Sequence, residues 1–308
     1  MKIVFMGSPE FAVPVLARLV DDGHEILAVY TQPDKPAGRG QTMHIPPVKS
    51  FALSKGFVVK QPLTLKDPAV QDELRGFAPD IIIVVAYGLF LPDAVLEAPV
   101  YGCINVHPSI LPRHRGAAPV VSTILSGDTW GGVSIMKMDS GWDTGDILAV
   151  SKVLIRPEDT TDSLMSKLSI ISASMMSDIL PRWISGKIVP RPQDNAEATY
   201  FKMMKKEDGL IDWSLDAVVI RNRVRALQPW PGTFTHIDGK LLKILSCEVL
   251  DTEINGNPGT VIVSKRDVDV VTRKGLLRLG VIQPEGKKAM PAIDYARGNG
   301  FPKDCILA

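Results

Sequence analysis

Cysteine is scarce in this chain. The three present, Cys103, Cys247 and Cys305, are odd in number and far apart, and no CxxC pair occurs. That excludes a disulfide framework and a cysteine-rich zinc site, and it fits a reducing compartment. Long apolar runs are also absent; none approaches the roughly 18 residues that a bilayer-spanning helix needs. The opening MKIVFMGSPEFAVPVLARL carries one lysine and is broken by Glu10, too short and too polar for an export core. A cytoplasmic protein with no membrane partner is expected. The histidines at 24, 44, 107, 114 and 236 lack metal-ligand spacing, so no metal is expected. There is no P-loop. The strand-like KIVFMG ends on a single glycine, Gly7, where a dinucleotide fingerprint needs three, so NAD binding is unsupported and Gly7 reads first as a tight strand-to-helix turn. No serine sits in a GxSxG elbow, which weakens a hydrolase reading of Ser109 with His107. Charge of one sign is lacking as well: the net charge is +1 and by itself implies no polyanion.

What is present is enough apolar residue for a sizeable core, 45% of 308 residues, a length that suggests about two domains. In the first half, apolar strand-like runs alternate with helix-like segments: KIVFMG, EILAVYTQ, FVVKQ, DIIIVVAYG and GCINVHPS are separated by FAVPVLARLVDDGH, PPVKSFALSKG and DPAVQDELRGF. Strands spaced by helices in this way indicate an α/β fold with a doubly wound parallel sheet. DIIIVVAYG is apolar throughout, as a central strand covered on both faces should be. WGGVSIMKMD and GDILAVSKVLI read as later strands around a loop, and residues 163–186 as a long helix. The rhythm is lost over 190–206, which reads as a linker between a domain at 1–189 and another at 207–308. The second domain has one helix, LDAVVIRNRVRAL, and the short strands GTFTHID, KLLKILSCEVL, GTVIVS, DVDVVTRK and LLRLGVIQ, a spacing that suggests a small β-barrel, OB-like among the candidates. Charge divides unevenly between these parts. Residues 1–199 hold 18 Lys and Arg against 21 Asp and Glu, whereas 200–308 hold 17 against 13. A basic final third is what a nucleic-acid partner would meet favourably.

The chemistry concentrates in CINVHPSILPRHRGAAP, residues 103–119. If INVH is a strand, Asn105 and His107 share one face while Ile104 and Val106 take the other. The strand runs into a turn-rich loop, which puts both polar groups at a carboxyl-terminal sheet edge, where doubly wound folds bind ligands. An amide N–H can stabilise an oxyanion, and an imidazole beside it can donate a hydrogen bond or move a proton. The loop DSGWDTGDIL offers Asp139, Asp143 and Asp146, any one of which could orient His107.

Asn105-Val-His107, Ser109-Ile-Leu-Pro112, Arg115-Gly-Ala-Ala-Pro119 and Asp143-Thr-Gly-Asp146 together resemble the folate-dependent formyltransferase family. Three further stretches resemble the branch of that family that acts on charged initiator tRNA, and this likeness runs end to end: TQPDKPAGRGQ at 31–41, YFKMMKKEDGLIDWS at 200–214, and QPWPGTF with QPEGKKAM at 228–234 and 283–290. The resemblance implies a Rossmann-like catalytic domain and an OB-like C-terminal domain that binds tRNA. It implies catalytic roles for Asn105, His107 and Asp143, and a folate site lined by Ser109, Ile110, Leu111 and Pro112. The implied cosubstrate is 10-formyl-tetrahydrofolate, with no metal, and the implied acceptor is initiator methionyl-tRNA. Arg39, Lys205 and Lys206 are the expected tRNA contacts, and a monomer is expected. Two details depart from the family pattern: Ile110 stands where leucine is usual, and His114 where an aromatic residue is common. Amino-sugar nucleotides form the alternative acceptor class, and a non-catalytic RNA- or folate-binding protein the third reading.

Overall fold

A computed structural model describes residues 1–37, 42–252, 254, 256–298 and 300–308. Arg39 lies outside the described residues. The chain forms two compact units: residues 1–119, 130–154 and 165–201 make the first, and 120–129, 155–164 and 202–308 the second.

In the first unit the elements run in chain order β1 (Lys2–Gly7), α1 (Val13–Asp21), β2 (Glu25–Tyr30), β3 (Lys35–Ala37), β4 (Thr42–His44), α2 (Pro47–Ser54), β5 (Val59–Lys60), α3 (Pro68–Gly76), β6 (Ile81–Val85), α4 (Asp93–Leu96), β7 (Cys103–His107) and β8 (Arg115–Gly116). After α5 (Pro119–Leu125), which from residue 120 belongs to the second unit, come β9 (Trp130–Lys137), β10 (Ile147–Leu154), the long α6 (Thr161–Ile184), which joins the first unit from residue 165, and β11 (Tyr200–Phe201). One sheet orders seven of these strands as β10-β9-β7-β6-β1-β2-β5. Both of its faces are covered. Val4, Met6, Ala28, Tyr30, Ile82 and Val84 pack with Leu74 of α3 and Val95 of α4, and the alternate residues Ile3, Phe5, Val29, Ile81, Ile83 and Val85 are equally buried. Strands buried on both faces need the continuous apolar character that the sequence shows. A Cβ on Gly7 would meet the Val85 carbonyl oxygen at 2.8 Å, so this glycine serves a close approach of β1 to β6. Cys103 opens β7 fully buried, and burial pushes its thiol up to about 12, so it acts as a small apolar group.

The five strands from β7 to β5 are parallel, as expected. The last two differ, for β9 runs antiparallel to both β7 and β10. Only residues 138–146 join β9 to β10, too few for the crossover that a parallel pair needs.

In the second unit α7 (Ala217–Ala226) is followed by β12 (Thr233–Ile237), β13 (Lys240–Ile244), β14 (Cys247–Leu250), β15 (Val261–Val263), β16 (Val268–Val271), β17 (Leu276–Leu279), β18 (Val281–Pro284), β19 (Met290–Pro291) and α8 (Ala292–Arg297). They build two four-stranded antiparallel sheets, β12-β13-β18-β19 and β14-β17-β16-β15. Ile220 and Val224 of α7 join Leu242, Ile244, Val270, Leu277 and Ile282 in one core. Two runs that read as single strands are each split. KLLKILSCEVL breaks at Leu245-Ser246 and LLRLGVIQ at Gly280, and at each break the chain passes from one sheet to the other. The corners lie side by side: Gly280 N–H donates to Ser246 O (2.9 Å), Val281 N–H to Ser246 Oγ (2.8 Å) and Leu245 N–H to Val281 O (2.8 Å). Apolar alternation carries through such a corner unbroken, which is why the pattern reads as one strand.

Candidate active site

Strand β7 delivers Asn105 and His107 to one face of the sheet at its carboxyl edge, both buried, at 9% and 4% exposure. The turn after it is pinned from β9. Ser134, paired in register with His107, donates through Oγ to Ser109 O (2.8 Å) and accepts from Leu111 N–H (3.0 Å). Ser109 Oγ donates to Arg113 O (2.8 Å). The chain then turns at His114, whose φ of +60° falls in the left-handed region that histidine enters more readily than most residues.

The acidic loop between β9 and β10 returns Asp143 to this pair. Asp143 Oδ1 is 3.6 Å from His107 Nδ1 and accepts from Asn105 Nδ2 at 3.4 Å. Its other oxygen, Oδ2, accepts from Gly116 N–H at 2.8 Å. Gly116 has φ +106°, which only glycine adopts without strain. His107 Nε2 lies 3.1 Å from the His114 carbonyl oxygen. A carbonyl can only accept, so a hydrogen bond there requires the proton on Nε2. Two nitrogens therefore converge on one carboxylate oxygen, beside the edge where such sheets take ligands. The loop's other carboxylates do different work. Asp139 caps the turn, accepting from Gly141 N–H (3.0 Å) and Thr144 Oγ1 (2.7 Å). Asp146 is half-buried.

The four residues expected to line a folate site form the turn after β7. Ser109 and Leu111 are buried, Leu111 against Met136 and Ile147. Their N–H groups go to His107 O (2.9 Å) and Ser134 Oγ (3.0 Å), so what they can offer a ligand is their carbonyl oxygens. Ile110 packs onto β9, where a Cβ on Gly132 would come within 2.8 Å of its Cγ1. Ile110 and Pro112 are half-buried and keep side-chain surface. Lys205 and Lys206 belong to the second unit, where both are exposed beside the 3-10 turn Lys206–Gly209.

Four residues of this neighbourhood were not singled out by sequence reasoning as individual groups: Ser134, Gln193, Thr199 and, beyond its place in the RGAAP run, Arg115. Arg115 is 1% exposed. It pairs with Tyr200 in the short parallel β8–β11 ladder, and Thr199 Oγ1 accepts from His114 N–H at 2.8 Å. Residues 191–201, inside the stretch expected as a linker, thus belong to the first unit as a strap along this edge. No signal in the sequence reveals that, since the strap has neither helical nor strand periodicity.

Comparison with known proteins agrees with this architecture. The chain belongs to the formyl transferase family: the Formyl transferase family model matches residues 1–180, and the model for the Formyl transferase C-terminal domain matches 203–300. It is 49% identical to a methionyl-tRNA formyltransferase of Dehalococcoides mccartyi over 97% of this chain and 96% of that one. A methionyl-tRNA formyltransferase of Geotalea daltonii is 48% identical over 97% and 95%. Among solved structures, the N-formyltransferase of Helicobacter canadensis in complex with folinic acid and dTDP-3-aminofucose superimposes with a TM-score of 0.69, at 18% identity, covering 92% of this chain and 99% of that one. That likeness is one of fold.

Proposed function

We propose that this protein transfers the formyl group of 10-formyl-tetrahydrofolate to the free amino group of methionyl initiator tRNA. The observation that carries the reading is the convergence of Asn105 Nδ2 and His107 Nδ1 on Asp143 Oδ1, at 3.4 and 3.6 Å, within a chain nearly half identical to methionyl-tRNA formyltransferases along its length. The amine of the aminoacyl ester attacks the formyl carbon, a C–N bond to the acceptor forms, and the bond to N10 of the folate breaks. Charge builds on the formyl oxygen as this happens. Asn105 uses one amide N–H on Asp143, and the second has no hydrogen-bond partner among the described residues. That second N–H donates to the oxyanion, while His107, its Nε2 proton held by the His114 carbonyl, keeps Nδ1 beside Asp143. The amine loses a proton and N10 gains one, so the transfer consumes no net acid or base. Asp143, in reach of both side chains, is the group that carries this proton. Folate binds against the turn at Ser109–Pro112, through backbone at Ser109 and Leu111 and side chain at Ile110 and Pro112.

Domain 1–189 carries the chemistry in this reading, and 207–308 holds the tRNA. Lys205 and Lys206 contact the phosphate backbone, and Arg39 contacts the tRNA through phosphate or base edges. One chain supplies every residue used, so a monomer suffices, and the substrate sets the cytoplasm as the compartment. The test is a formylation assay with 10-formyl-tetrahydrofolate and charged initiator tRNA, run beside uncharged tRNA and an amino-sugar nucleotide. Product is expected only on the charged tRNA. Formylation of the amino-sugar nucleotide in its place would overturn the acceptor, and no transfer to any of the three would overturn the reaction.

A further inference from the structure

Asp143 sits at φ +53°, in the left-handed region, which aspartate enters more readily than most residues but still less comfortably than extended backbone. What holds it there is a side chain from the strap. Gln193 Nε2 donates to the carbonyl oxygen of Asp143 itself (2.9 Å) and to that of Gly145 (2.7 Å). Gln193 Oε1 accepts from Arg115 Nε (3.1 Å) and Arg115 Nη2 (2.8 Å). The two ends of the amide are therefore not interchangeable: turned over, it would set N–H against guanidinium N–H and oxygen against two carbonyls. Two more guanidinium hydrogens go to the Tyr200 hydroxyl (2.8 Å) and Asn195 Oδ1 (3.0 Å), so four of the five are donated. Arg115 is thus a buried cation whose partners among the described residues are all neutral. A buried guanidinium without a counter-charge is a costly arrangement unless its hydrogen bonds are made in full. Its rigid fork is also what fixes the amide's orientation. The next residue, Gly116, grips the carboxylate of Asp143 from the other side through its N–H.

We infer that Gln193 is a positioning residue for Asp143, with Arg115 setting the direction of the Gln193 amide. The inference rests on the reading of Asp143 as the proton carrier. Gln193 acts on the backbone of Asp143 and touches neither Asn105 nor His107 by hydrogen bond. The strap is anchored independently by Arg191, whose N–H and carbonyl both pair with Ile147 at 3.0 and 2.8 Å, so the side chain can be changed without releasing it.

The test uses Gln193→Ala and Gln193→Glu in the full-length protein. The carboxylate variant, Gln193→Glu, would give Arg115 an anionic partner while withdrawing both N–H donors from the carbonyls of Asp143 and Gly145. Both variants are expected to lose kcat by about 10- to 100-fold, the scale of a misplaced reacting group, with KM for formyl-folate unchanged. Gln193→Glu sets an oxygen against the same two carbonyls but gives the buried Arg115 cation a counter-charge. It should therefore stay folded and melt within a few degrees of the parent, which separates positioning from folding and carries the test if Gln193→Ala does not fold. Added to Asp143→Asn, either change should cost nothing further. Gln193→Glu with more than half the parent kcat, beside a severely impaired Asp143→Asn, overturns this inference, as does a loss confined to KM. Full activity in Asp143→Asn overturns the reading on which it rests.

Discussion

Asn105 and His107 owe their common face to strand geometry, and their company to a residue 36 positions further along the chain. On the reading proposed above, Asn105→Ala removes one oxyanion donor and should lower kcat by about 10²–10³. It should shift the melting temperature by only a few degrees, since the hydrogen bond lost from the resting protein is a long one at 3.4 Å. Steady-state turnover and a thermal melt check the two halves, and a variant keeping more than a third of parental turnover would remove Asn105 from the oxyanion. His107 and Asp143 should behave as one device. His107→Ala and Asp143→Asn are each expected to be severely impaired, and the double variant scarcely worse than the worse single. Losses in kcat that multiply fully would show that the two act apart. Asn105, His107 and their shared face were legible from the spacing alone. The choice of Asp143 over Asp139 and Asp146 was not; only the family resemblance distinguished it, because three carboxylates in one glycine-rich turn look alike until the turn is folded.

At the scale of elements, the acidic connection between β9 and β10 is a built object. Asp139 caps it, Gln193 holds its carbonyls, and Gly145 lies so close to β9 that a Cβ there would overlap the Lys137 carbonyl oxygen. Gly145→Ala must therefore displace the loop, at a cost of about 1–3 kcal/mol typical of forced overpacking. Asp143 should move with it. Urea denaturation together with turnover should register both losses, and unchanged stability would mean that the loop gives way freely. The strands and long helices were readable because burial on two faces or one imposes a period. The antiparallel turn of β9, the corner at Gly280 and the strap at 191–201 were not, because each depends on what the chain meets across the sheet.

Across the whole molecule the contrast is electrostatic. The final third holds the excess of positive charge, and Lys205 and Lys206 stand exposed within it. If they contact phosphate, Lys205→Ala with Lys206→Ala should leave stability within about 0.5 kcal/mol, the range of ordinary surface positions. Binding of charged initiator tRNA should weaken, and the slope of log K against log salt should fall by about one for each contact removed. Folate binding serves as the control. Arg39→Ala, measured in the same salt series, should behave alike if Arg39 touches phosphate, whereas a loss confined to initiator over elongator tRNA would mark base recognition. Unchanged binding at every salt concentration would return all three to the role of solvated surface charges.

By itself the sequence determined the layered α/β unit, the strand-rich unit after it, and the face on which Asn105 and His107 stand. These follow from local periodicity and from which residues must leave water. Periodicity left three carboxylates open and the resemblance pointed to Asp143; only the tertiary structure decided that Gly116 and Gln193 hold it at φ +53° and that Arg115 is buried among neutral partners. Those contacts join β7, the β9–β10 turn and a strap some 50 residues beyond it. No local pattern encodes a hydrogen bond between segments so far apart; it exists because the sheet brings their ends to one edge.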